Sequence, residues 1–135
     1  MSRFVRKCLY CTNGIEIPKT VEIGPGMLMI HPRNITINSK AVIGCNFTIL
    51  KGATIGSQLR GKNEGSPIIG NDVYVGLNAT IVGKIRIGNN VLIAPNAYVN
   101  FDVPDNTIVI GNPGVCYFSE RATEGYIKNK FFKGD

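Results

Sequence analysis

No apolar stretch in this 135-residue sequence approaches the roughly 18 residues a bilayer-spanning helix needs. Runs such as Met27–Ile30 and Val91–Ala94 stop after four residues. The N-terminal segment MSRFVRKCLYC is basic but lacks the apolar centre of a secretory signal, so a cytoplasmic protein is expected. Histidine occurs once, at His31, and Cys8-x-x-Cys11 therefore lacks the four ligands of a structural zinc site. The four cysteines (Cys8, Cys11, Cys45, Cys116) read as reduced thiols, and no metal is expected. Charged residues make up only 18% against 44% hydrophobic, which argues against a disordered chain, and the length suits one domain. Fifteen Lys and Arg against nine Asp and Glu give a net charge of +6. The cations gather at the ends (Arg3, Arg6, Lys7; Arg121, Lys128, Lys130, Lys133) and in one loop (Arg60, Lys62). No recognition helix and no aromatic–basic interleave accompany them, so nucleic acid is not an expected partner.

What the chain does contain is a period. Aliphatic residues recur every sixth position at Ile69, Val75, Ile81, Ile87, Ile93 and Val99, with a second apolar residue four places after each. The same spacing runs through Ile37, Ile43, Ile49 and Ile55, and through Ile17, Ile23 and Met29. A helix would show a period of 3.6 and an alternating strand a period of 2. Six residues fit one short strand and one sharp turn, with Gly or Asn taking backbone angles that other residues avoid. Equivalent aliphatics of successive coils then stack into a continuous interior. Three hexads per coil make a triangular prism of four or five coils.

Two interruptions break the count. Met29 to Ile37 spans eight residues and contains His31. Ile55 to Ile69 spans fourteen, which predicts a loop extruded over 56–68. Loops on rigid scaffolds are where function concentrates. Asp102 and Asp105 lie in a turn-rich segment and read as turn formers. Beyond Cys116 the pattern fades into a tail, 117–135, whose aromatic residues predict packing over the open end of the prism; Ser119 is positioned to cap a short helix there.

These hexads, and the closing DVPDNTIVIGNPG, resemble the hexapeptide-repeat acyltransferases, and within them the catalytic domain of serine acetyltransferase. The resemblance covers roughly residues 14–116 and implies an all-β, left-handed parallel β-helix with one extruded loop and a short C-terminal tail. Its handedness comes from the family alone, since β crossovers are ordinarily right-handed. GIEIPKTVEIGPG resembles the family segment carrying a catalytic aspartate, and MLMIHP the one carrying the catalytic histidine. The resemblance thus puts His31 in the place of the general base. Glu16, fifteen residues earlier, stands for the carboxylate that orients it. Gly56 and Ser57 fall where the family's glycines approach the pantetheine arm, and Leu77 and Pro95 where its alanines make room for coenzyme A. Family members hold serine with an aspartate before the histidine and an Arg-His pair late in the loop. Those positions here read Ile30, Gly65 and Ser66.

Acetyl transfer to a hydroxyl needs a base for the alcohol proton, a carboxylate to fix the imidazole tautomer, and a donor for the tetrahedral oxyanion. The expected reaction is direct transfer from acetyl-CoA in a ternary complex. Because the charged serine contacts are absent, the expected acceptor is a sugar hydroxyl in polysaccharide biosynthesis, with serine O-acetylation and a non-catalytic β-helix scaffold as alternatives. A hexapeptide carbonic anhydrase would need three histidines and is excluded. The resemblance also implies a homotrimer.

Overall fold

A computed structural model describes residues 2–128 and 130–132. Its strands form three parallel sheets, one per side of a prism. The first contains β1 (Glu22–Ile23), β4 (Val42–Ile43), β7 (Ile68–Ile69) and β10 (Arg86–Ile87). The second contains β2 (Leu28–Ile30), β5 (Thr48–Leu50), β8 (Val73–Val75), β11 (Val91–Ile93) and β13 (Thr107–Ile110), with β14 (Val115–Phe118) added antiparallel at its edge. The third contains β3 (Thr36–Ile37), β6 (Thr54–Gly56), β9 (Thr80–Val82) and β12 (Tyr98–Val99).

Register turns the sixfold period into three interior columns. Ile23, Ile43, Ile69 and Ile87 stack on the first side. Met29, Ile49, Val75, Ile93 and Val109 stack on the second, and Ile37, Ile55, Ile81 and Val99 on the third. Most of these side chains have no exposed surface, so the hexad is a burial pattern. The corners supply the unusual backbone. Asn46, Asp72, Asn90 and Asn106 share one edge and Asn34, Asn78 and Asn96 another, all with φ between 51° and 62°. Asparagine tolerates this left-handed region better than other residues with a Cβ. Asp102 and Asp105 accept the backbone N–H of Arg86 and Asn89 from the coil below, which makes them turn formers as expected.

Two segments depart from expectation. The first is a helix, α1 (Arg3–Asn13), that the hexad count does not reveal. Ser2 caps its start by accepting from Val5 N, and Gly14, at φ 66°, ends it by donating to Leu9 O and Tyr10 O. Leu9 packs against the lowest coil. The second is the tail: its first residues, Tyr117 and Phe118, pair with β13 at the edge of the last coil, but the rest leaves the prism end and forms no helix at Ser119. It descends the outside of the second sheet along the asparagine edge, where the Ser119 hydroxyl closes only a turn with Arg121 N. Ser119 N donates to Asn106 O, the Asn90 side chain binds Glu120 and Thr123, Lys130 pairs with Asp72 at 3.5 Å, and Phe131 bonds through its backbone to Asn46. Asparagines already turned outward by their left-handed backbone give the rest of the tail a row of hydrogen-bonding partners down the side of the prism. The tail buries Ala122 and Thr123, and Tyr126 meets Tyr74 edge-on at 5.0 Å. Burial first, and then the neighbouring Tyr126 phenol, raises the Tyr74 pKa.

Asn90 is the strongest anchor of that strap. Asn90→Ala is expected to destabilise the protein by about 2 kcal/mol, because alanine resists the left-handed region and the side-chain bonds are lost. Asn90→Gly, which relieves only the backbone term, should recover part of it. Equilibrium denaturation of both variants checks the difference.

Candidate active site

The eight-residue interruption resolves into a regular hexad with two extra residues. Ile30 pairs with Leu50, and Arg33 O accepts the N–H of Gly52 at 2.9 Å. The upper coil goes directly from Leu50 to Lys51, whereas the lower one inserts His31 and Pro32 between the matching positions. The pair has no room in the coil and is expelled at the corner between the second and third sheets. His31 is exposed with φ 51°, a left-handed conformation that costs a residue with a Cβ about 1–2 kcal/mol. Helix α1 holds the bulge from below: Asn13 Nδ2 donates to Pro32 O at 3.2 Å, and Asn34 N donates to Asn13 O at 2.9 Å. Sequence reasoning missed this buttress, whose partners lie about twenty residues apart.

Glu16 lies one coil lower on the third side, bridged to Thr36, with its side chain exposed. No ion pair joins it to His31 among the described residues. It borders a hollow of about 300 Å³ shared with Arg3, Arg6, Lys7 and Tyr10 of α1. Leu77 and Pro95 stack on the edge that carries the bulge: Asn96 N donates to Leu77 O as Gly52 N does to Arg33 O. At about 4.8 Å per coil they stand roughly 10 and 14 Å above Arg33. Gly76 beneath them has no alternative, since a Cβ there would come within 2.8 Å of Pro95 N.

The extruded loop folds back on the third sheet. Gln58 and Gly65 exchange backbone hydrogen bonds at 2.9 and 3.0 Å, and Asn63 Nδ2 donates to Asn100 O at 2.9 Å. Between the loop and the sheet lies a cleft of about 710 Å³ lined by Ser57, Arg60, Val82 and Tyr98, whereas Gly56, the last residue of β6, does not line it. Ser66 and Gly65 sit at the opposite edge of that sheet, where Ser66 Oγ donates to Asn38 Oδ1 at 2.7 Å. A single chain therefore does not bring them beside His31. Ile30 borders a separate cavity of about 340 Å³ with Leu28, Tyr74, Tyr126 and Lys128. Cys8 and Cys11 are exposed on α1, and no third Cys, His or acidic residue joins them among the described residues.

The family model described as bacterial transferase hexapeptide (six repeats) matches residues 66–100. That segment carries the hexapeptide repeat of the bacterial transferases. Serine acetyltransferase 4 of Arabidopsis thaliana is 37% identical to it over 100 residues, covering 74% of this chain and 28% of that one. A Helicobacter pylori serine acetyltransferase is 35% identical over 108 residues, covering 80% of this chain and 63% of that one. The crystal structure of Neisseria gonorrhoeae serine acetyltransferase superposes with a TM-score of 0.78 at 32% identity, over 86% of this chain and 44% of that one; the same enzyme has been solved in complex with serine. The hexapeptide protein is thus the left-handed parallel β-helix its repeat resembles. It spans less than two thirds of the length of these curated relatives. All three are named for serine, where the sequence alone favoured a sugar acceptor.

Proposed function

We propose that this hexapeptide protein is an acetyl-CoA-dependent O-acetyltransferase whose general base is His31. The observation that carries the reading is the His31–Pro32 insertion: a regular coil expels its only imidazole at one corner, in a strained backbone fixed on both sides by register. In the forward step His31 takes the acceptor hydroxyl proton as that oxygen attacks the thioester carbonyl. The C–O bond forms, the tetrahedral oxyanion collapses, the C–S bond breaks, and the imidazolium returns its proton to the leaving thiolate. Glu16, one coil below, has the role of steadying the imidazolium. The loop cleft beside Gly56 and Ser57, with the Leu77–Pro95 edge, is the proposed seat of coenzyme A. In a homotrimer, the loop of one chain would carry Gly65 and Ser66 toward the His31 of the next.

Serine is the acceptor that similarity to the named relatives supports. A sugar hydroxyl, as in polysaccharide biosynthesis, is the second reading, favoured by the uncharged Ile30, Gly65 and Ser66, which give an amino acid neither counter-charge. Incubation with acetyl-CoA and serine, hexoses or nucleotide sugars separates them by which acceptor releases free thiol. If no acceptor does so and coenzyme A produces no thermal shift, the protein is a scaffold. If serine is a poor acceptor, Ile30→Asp with Ser66→His is expected to raise kcat/KM for serine about tenfold or more, the value of one charge-assisted hydrogen bond. No change from that pair would show that these positions do not touch the acceptor.

A further inference from the structure

The net charge of the chain is not spread over the prism. Residues 41–124, which form the upper coils and the start of the tail, carry six Lys or Arg and six Asp or Glu. Residues 2–40 and 125–132 carry eight Lys or Arg against Glu16 and Glu22 alone. The fold brings these two segments to the same end: α1 lies against the lowest coil through Leu9, and Phe131 reaches Gly26 in that coil, where an added Cβ would lie 3.1 Å from its own. This end is also the incomplete end of the solenoid. Ile17, Val21, Ile23, Met27 and Met29 face the interior yet stay only partly buried, around an opening of about 570 Å³ with Arg6 and Lys19 at its rim. Tyr10 borders the adjoining hollow, and Tyr10, Phe4 on the same helix and Phe132 beside Phe131 are each more than 60% exposed.

We infer that this end of the prism docks onto an anionic lipid bilayer. A second copy is a poor occupant, because end-to-end pairing would bring the cations around the opening, Arg3, Lys7 and Lys19, against the same three of the partner copy. An anionic leaflet answers both features at once. Its phosphates neutralise Arg3, Lys7, Lys19 and Lys128, while the aromatic residues and the apolar opening meet the headgroup–acyl boundary. α1, exposed along Phe4, Cys8 and Cys11 and flanked by Arg3 and Lys7, would lie in the interface plane. This is peripheral binding, consistent with the absence of any helix long and apolar enough to cross a membrane among the described residues.

The test is co-sedimentation of the full chain with phosphatidylcholine vesicles, with and without phosphatidylglycerol, at about 0.1 M salt. Binding is expected only to the anionic vesicles. The triple variant Arg3→Glu, Lys7→Glu, Lys19→Glu should weaken it by at least about 100-fold, given about fivefold per cation. The triple variant Lys84→Glu, Arg86→Glu, Arg121→Glu changes the net charge equally but lies elsewhere on the prism, and should weaken binding less than tenfold. Phe4→Ser with Tyr10→Ser should reduce binding at unchanged charge, and circular dichroism melts of all variants separate lost docking from lost folding. Equal losses from the two triple variants, equal binding to neutral vesicles, or a concentration-dependent dimer that the Arg3, Lys7 and Lys19 changes abolish would each overturn the inference.

Discussion

Replacing His31 with alanine is expected to lower acetyl transfer by roughly 10²–10⁴-fold, the usual contribution of a positioned general base. The loss should fall on kcat, with little change in the KM for acetyl-CoA, because the proposed coenzyme seat lies on the loop cleft and the Leu77–Pro95 edge. Folding should be nearly unaffected: the side chain is exposed and forms no part of the interior columns. Alanine keeps the left-handed strain, so His31→Gly serves as the companion variant. It relieves the backbone and should be slightly more stable, yet equally inactive. Single-turnover thiol release at saturating acceptor, beside a thermal melt of each variant, reads the two effects separately. Glu16→Gln should reduce kcat less than His31→Ala and leave the KM for acetyl-CoA unchanged. Retention of most of the turnover by His31→Ala would falsify the base assignment and leave the scaffold reading standing.

The interior was open to reading from sequence because it is one-dimensional. Ile37, Ile55, Ile81 and Val99 meet only because each lies a whole coil from the next, so a spacing in sequence is already a contact in space. The same logic marked 29–37 as two residues too long, but a count alone cannot say which two are extra. That takes the register on both sides, Ile30 with Leu50 and Arg33 with Gly52, which isolates His31 and Pro32. Helix α1 stayed hidden because it lies outside the hexad count and buries none of its residues, holding to the prism mainly through Leu9 and the Asn13 contacts and leaving Phe4, Val5 and Tyr10 outside. The path of the tail was illegible for a different reason. Its partners Asn46, Asp72 and Asn90 look in sequence like ordinary corner residues, and only their shared edge makes them a track. Handedness is not encoded in a period of six at all. At the site, Leu77 and Pro95 share an edge because whole hexads separate them, whereas His31 joins that edge only through the observed register and the acceptor depends on side chains the repeat leaves free to vary.

Ile81→Ala should produce a large loss of stability, about 4 kcal/mol within the 2–5 kcal/mol range for truncating a buried isoleucine. The side chain has no exposed surface and is held between Ile55 below and Val99 above. Strand register fixes the neighbours that would have to move inward, so the cavity cannot collapse and the cost belongs at the upper part of that range. Ile81→Val, which removes one methyl, should cost about 0.5–1.5 kcal/mol. Met29→Ala provides the internal comparison. Met29 lies in the lowest coil, next to the open end, and is only partly buried, so part of its surface is already wet and its truncation should cost less than half as much. Urea denaturation with unchanged m values measures all three. Similar losses for Ile81→Ala and Met29→Ala would mean that the lowest coil is as well closed as the middle ones, which would also remove the exposed apolar opening from the proposed membrane face. With the expected gradient, the proposed base His31 lies in the weaker part of the column, and the Asn13 contacts to Pro32 and Asn34 are what tie its bulge to α1.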